Sequence, residues 1–267
     1  FYKKFADKFN IKEGNATLMI HSGSRGLGYQ VADDYIGVMM QAMKKYSIEV
    51  PDNQLCCAPI SSQEGQDYIQ AMNCAVNFAF CNRQLMTHWV RLAFEKVFEQ
   101  SWQELELNLV YDVCHNIAKF EEHEIDGKKK NVLVHRKGAT RAFPKGKKEL
   151  NDFFQEIGQP AIVPGSMGTN SYVMLGTQVG LQESFASICH GSGRVMSRTK
   201  ALGTKTGENV KNDLQKKGQV IETASVKDLA EEMPEAYKDI EEVIKSVELA
   251  GIATKVSQHK PLGVMKG

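Results

Sequence analysis

No stretch of this 267-residue sequence is long, uncharged and apolar throughout, so nothing in it reads as a membrane span. The N-terminal FYKKFADKF lacks a signal-peptide layout, because lysines and an aspartate interrupt its apolar residues. Its six cysteines (56, 57, 74, 81, 114 and 189) include no CxxC pair, and without a secretion signal they are expected to be reduced thiols of a cytoplasmic protein. Neither sign of charge dominates: 33 Lys and Arg against 32 Asp and Glu leave a net charge of +1, so any anion site must be local. The absence of a GxxxxGK[ST] motif argues against ordinary P-loop nucleotide hydrolysis. No linker rich in Pro, Gly or Ser divides the chain, and one α+β domain over residues 1–267 is expected.

What is present is ordinary globular composition, 42% hydrophobic and 24% charged, which removes disordered and fibrous classes. ATLMI (16–20) and LNLVYDV (107–113) read as strands, and Leu27, Val31, Tyr35, Val38 and Ala42 fall at helical spacing. Asn73 to Phe98 forms the clearest helix, with Leu85, Trp89, Phe94 and Phe98 near one face. EEHEIDGKKKNVLVHR reads as a hairpin turning at Asp126-Gly127, and KKELNDFFQEIG as a short helix ending at Gly158. AIVPGSMG, SYVMLGT and ESFASICH read as strands, RKGATRAFPKG as an irregular basic loop, and Lys200 to Gly218 as an exposed helix with loose ends. Pro234 suits the first turn of a helix continuing through Tyr237, Ile240, Val243, Ile244 and Val247 to Gly251. The tail HKPLGVMKG is too apolar to dangle. The chain opens on Phe1 and soon enters a strand-like stretch, which reads as the middle of a longer protein.

Three histidines share a setting at predicted strand ends: His21 opening HSGSRG, His115 followed by Asn116, and His190 opening HGSGR. Glycine after a strand lets the backbone approach a ligand and turn N–H groups toward phosphate oxygens. A hydrogen-bonded structural histidine is the competing reading for each. His88 and His123 read as solvated surface, and His135 and His259 lack such turns. Arg25, Arg136, Lys137, Arg141, Arg194 and Arg198 lie in or just after these turns, a clustering that suggests a phosphate-rich ligand. Lys128 to Lys130 and Lys145 to Lys148 read as solvated loops. PGSMGTNS (164–171) is either another anion cradle or a plain tight turn.

Taken in order, HSGSRGLG, YDVCHNIAK, LVHRKGATRAFP, GQPAIVPGSMGT, CHGSGR and the terminal KG resemble the RtcB-type tRNA-splicing RNA ligases along essentially the whole chain. The resemblance implies an α+β fold of mixed or antiparallel sheets flanked by helices. It also implies joining of RNA 3′-phosphate or 2′,3′-cyclic phosphate ends to 5′-hydroxyl ends with GTP and manganese. His190 matches the family's guanylylated histidine, within a turn of Gly191, Ser192, Gly193 and Arg194 that would stabilise charge on the phosphate. His21 and His115 match metal-binding histidines, and Asn116 a nucleotide contact. Pro164, Gly165, Ser166, Met167 and Ser171 match the turn gripping guanine and ribose, and Lys266 a penultimate nucleotide-binding lysine. Tyr237 matches a base-stacking partner, with a core tyrosine on an amphipathic helix as the alternative. Arg25, Lys137 and Arg198 match cations near RNA phosphates.

The chain departs from the family at its beginning: no Asp-x-x-Cys and no Gly-Gly-Gly-Asn-His run occurs, so part of the implied metal pair is lacking. Cys114 and Cys189, beside His115 and His190, read as core thiols rather than substitutes. Two further readings therefore stand beside the ligase. One is an inactive nucleotide- or RNA-binding half of a split enzyme, completed by an N-terminal portion or a separate partner; the other is a metal-dependent phosphoesterase. The implied partners are RNA, such as cleaved tRNA halves, and an archease-like activator, with no membrane. Uncovered strand edges and apolar surface are expected of such a fragment.

Overall fold

The computed structural model describes residues 3–267. From the N-terminus run α1 (Lys3–Lys8), α2 (Gly26–Lys45), α3 (Gln63–Phe98), β1 (Asn116–Ile125), β2 (Lys128–Lys137), β3 (Ala139–Arg141), α4 (Asp152–Ile157), β4 (Pro160–Val163) and β5 (Ser171–Gly176). There follow α5 (Gln178–Ser184), β6 (Ser187–Cys189), α6 (Arg198–Thr204), α7 (Gly207–Lys216), β7 (Val220–Thr223), α8 (Val226–Glu231), α9 (Ile240–Leu249), β8 (Ala253–His259) and β9 (Gly263–Lys266). Contacts group the chain into two compact units, Leu18–Asp112 and the remainder, which joins the chain up to Thr17 with Val113–Gly267. Small sheets and flanking helices make it an α+β protein.

The smaller unit is built on α2 and α3. Ser62 caps α3 through its hydroxyl, which accepts from Gly65 N–H at 3.1 Å, and the helix therefore starts at Gln63, ten residues before the expected Asn73. Residues 16–20 and 107–113 form no strand. A short apolar run by itself does not make a strand, which needs ladder pairing along its length. On α3, Leu85, Trp89 and Phe98 are exposed, as are Leu92 and Val97. Helical spacing specifies that a face exists, whereas its covering depends on what packs there.

In the larger unit, β5 lies between β4 and β8 in an antiparallel sheet. Its side chains alternate. Tyr172 and Met174 enter a core with Ala161, Val163, Ile188, Ile240 and Ile244, while Val173 and Leu175 enter a second core with Ala6, Phe9, Ile157 and Val256. The sheet is thus buried on both faces, which is why SYVMLG reads as continuously apolar. A third core joins Met167, Ala201, Val210, Leu214, Ile221, Leu229 and Met233. It accounts for Lys200 to Gly218, which forms two helices, capped by Ser197 and Thr206, whose apolar residues are buried.

The predicted hairpin forms with residue-by-residue pairing from Asn116↔Lys137 to Ile125↔Lys128. Asp126 and Gly127 take φ of 55° and 70°, the two left-handed positions that a two-residue turn of this twist requires. Gly158 ends α4 at φ 100°. ESFASICH splits between α5 and β6, and RKGATRAFPKG contains β3, paired with β6. Both termini of the tail are held: β9 pairs in parallel with β7, and Val264 packs on the third core. Among the described residues no helix is long and apolar enough to cross a membrane.

His259, at the end of β8, lies between Thr17 Oγ1 (2.9 Å from Nδ1) and Ser257 Oγ (2.8 Å from Nε2). Burial holds its pKa below the ordinary 6.5. The unfolded chain therefore takes up a proton as pH falls through that value while the folded chain does not, and stability drops on the acid side. Urea midpoints should fall between pH 7.5 and 5.5, and His259→Gln should flatten part of that slope. An unchanged slope in the variant would show that the ring carries none of it.

Candidate active site

Strand β6 delivers His190. β3 pairs with it in the register Ala139↔Cys189, Thr140↔Ile188 and Arg141↔Ser187, and Ile188 anchors it in the first core. The imidazole of His190 stacks on that of His115, with centroids 3.9 Å apart and planes 20° from parallel. Gly138, at φ 63°, packs against the same ring: a β-carbon there would sit 3.4 Å from His190 Cδ2. The backbone draws these residues together, for His190 N–H donates to Gly138 O at 3.4 Å and Ala139 N–H to His115 O at 3.4 Å. Asn116 Oδ1 accepts from Gly138 N–H at 2.9 Å. Burial, then the neighbouring charge of Lys137, lowers the His190 pKa from its ordinary value. The ring is neutral at pH 7, with a lone pair on one nitrogen.

His115 does not follow a strand; it precedes β1, so the hairpin's open end, rather than a strand end, presents it. His21 likewise lies outside any strand. In the smaller unit its turn is held by α3: Asn82 Nδ2 donates to Ser22 Oγ (3.1 Å) and Gly23 O (2.8 Å), and Arg83 donates to Ser22 O (3.2 Å) and Asp112 (2.6 Å). His21 and Arg25 are both exposed there, and Arg25 takes a left-handed φ of 54° at the start of α2.

The 164–171 turn adjoins the 190–193 turn, since a β-carbon on Gly191 would lie 3.2 Å from Pro164 O. At Gly165 one would lie 2.1 Å from Asn170 O, so only glycine fits. Ser171 Oγ accepts from Gly165 N–H (3.2 Å) and Thr169 Oγ1 from Ser166 N–H (2.7 Å). Met167 is buried in the third core, leaving its backbone alone for a ligand. Ser192 is buried, whereas Gly193 (φ 72°) borders open space.

Arg194 extends the site. Its guanidinium donates to Tyr237 Oη (3.0 Å), Glu231 O (2.6 Å) and Met196 O (3.0 Å). Tyr237 is not on a helix: it follows a 3-10 turn, Pro234–Ala236, in extended conformation and bridges to Arg194. Proline fixes the turn, and α9 starts only at Ile240 after the Asp239 cap. Tyr237 Oη donates to Glu232; burial and that carboxylate push the phenol pKa up to about 12. Glu232 also faces Arg198 (3.6 Å) and Lys266 (4.0 Å), and Arg198 reaches Glu231 at 3.6 Å. Burial would raise the Glu232 pKa, but Tyr237, Lys266, Arg194 and Arg198 hold it below the ordinary value. Sequence reasoning missed Glu232; one of three glutamates in EEMPEAY, it carries no signal of the cations converging on it.

Two cations and a histidine belong to a different network. Arg136 and His123 are buried, as is Glu121, to which both bond; Arg141 lies 3.5 Å from the same carboxylate. Their charge is spent inside the protein, so Arg136 is not a ligand cation and His123 is not surface. Cys189 packs on the first core, where burial pushes its thiol up. Among the described residues no group of three or more His, Cys, Asp or Glu is placed to hold a metal ion.

The family model for the tRNA-splicing ligase RtcB matches residues 1–267. A tRNA-splicing ligase RtcB of Archaeoglobus fulgidus is 53% identical over all 267 residues, which cover 55% of that protein. Proteins of the same name from Methanococcus maripaludis and Thermococcus kodakarensis are 52% and 48% identical over the whole chain, covering 56% and 55% of their lengths. The chain thus spans about half the length of these three relatives.

Proposed function

This chain belongs to the RtcB family, and from that we propose that it acts in GTP-dependent joining of RNA 3′-phosphate or 2′,3′-cyclic phosphate ends to 5′-hydroxyl ends, with His190 as the nucleophile. The observation that carries this reading is a neutral imidazole stacked on His115, in a turn where Gly191 lies close against Pro164 and Gly193 borders open space. A ring nitrogen of His190 attacks the α-phosphorus of GTP; the P–N bond forms, the bond to the β-phosphate oxygen breaks, and pyrophosphate leaves. GMP then passes to an RNA 3′-phosphate oxygen, breaking the P–N bond. The 5′-hydroxyl finally attacks that phosphorus, releasing GMP and its own proton.

The chain's part is positioning and charge. Lys137 and Arg198 are exposed and suited to RNA phosphates, as is Arg25 in the smaller unit. Lys266 and Tyr237 are suited to the nucleotide, and Arg194 holds Tyr237 in place. Manganese is the divalent ion the family resemblance implies, but His21 and His115 do not make a complete site, and the residues here do not fit one without further donors. That same observation favours a second reading, in which the chain binds nucleotide or RNA and the chemistry awaits donors from another segment or a split partner. RNA such as cleaved tRNA halves, and an archease-like activator, are the proposed partners.

The test is incubation with manganese and GTP labelled at the α- or γ-phosphate, followed by denaturation. Label retained from the α position only supports the ligase reading. Binding without retention supports the second, and release of inorganic phosphate from RNA ends without retention supports a phosphoesterase.

A further inference from the structure

Behind His190 lies a buried ionic cluster with no part in binding. Arg136 donates through Nη1 and Nη2 to Glu121 Oε1 (2.7 Å) and Oε2 (2.9 Å), a two-pronged pair with both side chains essentially out of solvent. Its remaining donors turn the other way, from Nε to Ser187 Oγ (2.9 Å) and from Nη2 to Phe185 O (2.8 Å). Ser187 begins β6, the three-residue strand that ends one residue before His190. Phe185 and Ala186 both take left-handed φ, 51° and 53°, at the entry to that strand, a conformation non-glycine residues keep only when their surroundings impose it. Arg136 also sits two residues before Gly138, whose carbonyl accepts from the His190 N–H at 3.4 Å.

One guanidinium therefore ties together the strand that carries the imidazole and the hairpin that supports it. Resting on the reading of His190 as nucleophile, we propose that Arg136, oriented by Glu121, is a positioning residue that sets the angle at which the His190 ring meets its target. Rigid delivery matters because in-line attack tolerates little misplacement, and a shift of about 1 Å can cost on the order of 100-fold in rate. Lysine cannot replace it, since an ammonium is a point charge and cannot span Glu121, Ser187 and the Phe185 carbonyl in one plane.

The test compares the unsubstituted protein with Arg136→Lys and with the milder Ser187→Ala, which removes one hydrogen bond and leaves the Glu121 pair. Three quantities are read: GTP affinity by equilibrium binding, the single-turnover rate of adduct formation, and the imidazole nitrogen resonances of metal-free protein, with His190 identified through His190→Asn. The expected result is a rate at least about 10-fold lower with GTP affinity within about 2-fold, and a displaced His190 signal. An unmoved His190 signal in the folded variants overturns the proposal, as does an unmoved rate, or a loss shared equally by affinity and rate. Should Arg136→Lys fail to fold, Ser187→Ala decides alone. Should the unsubstituted protein form no adduct, the ligase reading fails, and the resonance comparison still decides whether Arg136 positions the ring.

Discussion

His190→Ala is expected to reduce retention of α-labelled GMP to background while leaving the fold in place. The substitution removes a half-buried ring stacked on His115, a loss of order 1 kcal/mol for a stacked pair. It also removes the nitrogen nucleophile of this turn, and the side chains on either side of it in the turn offer no substitute. Burial keeps the Cys189 thiol protonated, and Ser192 is buried with no base placed to activate it among its described contacts. Intact protein mass after incubation with GTP measures the outcome, alongside a thermal melt to show the variant is folded. An undiminished adduct on this variant would refute the assignment.

Glu121→Gln is expected to cost about 3–5 kcal/mol of stability, because it strands the Arg136 charge in the interior. Burial by itself would raise the Glu121 pKa; Arg136 and His123 hold it below the ordinary 4.5 instead. The sign follows directly: this contribution is present above pH 4.5 and lost as pH falls through the lowered folded value. Urea unfolding at pH 7 checks the magnitude, and a loss under about 1 kcal/mol would mean the pair is not truly enclosed. Replacing both partners with apolar residues, Glu121→Leu with Arg136→Met, is expected to recover most of the stability. It should not recover adduct formation if Arg136 sets the ring's angle.

Several features could be read directly from local chemistry. The Asp126-Gly127 turn needs two left-handed residues in succession, and the Gly158 stop needs one. The 164–171 and 190–193 turns rest on glycines that no side chain could replace at Gly165. Residues 16–20 and 107–113 form no strand, and apolar runs that short carry no record of whether a partner strand is near. On α3 the apolar stripe of Leu85, Trp89 and Phe98 shows helical period, but its exposure is a tertiary fact.

The same division runs through the site. His190, its glycines and the candidate grips at 164–171 stand out by residue type and spacing, since catalysis at a crowded phosphate needs small neighbours and a neutral base. By itself, then, the sequence determined where such chemistry is possible and where the chain must bend. Only the tertiary structure decided which cations stay exposed and which are consumed by the fold. Arg136 and Lys137 are adjacent and equally basic, yet one is buried against partners 15 and 51 residues away while the other is exposed. The reason is that a charge's fate depends on whether a counter-charge and hydrogen bonds meet it once water is gone, and those partners come from distant parts of the chain.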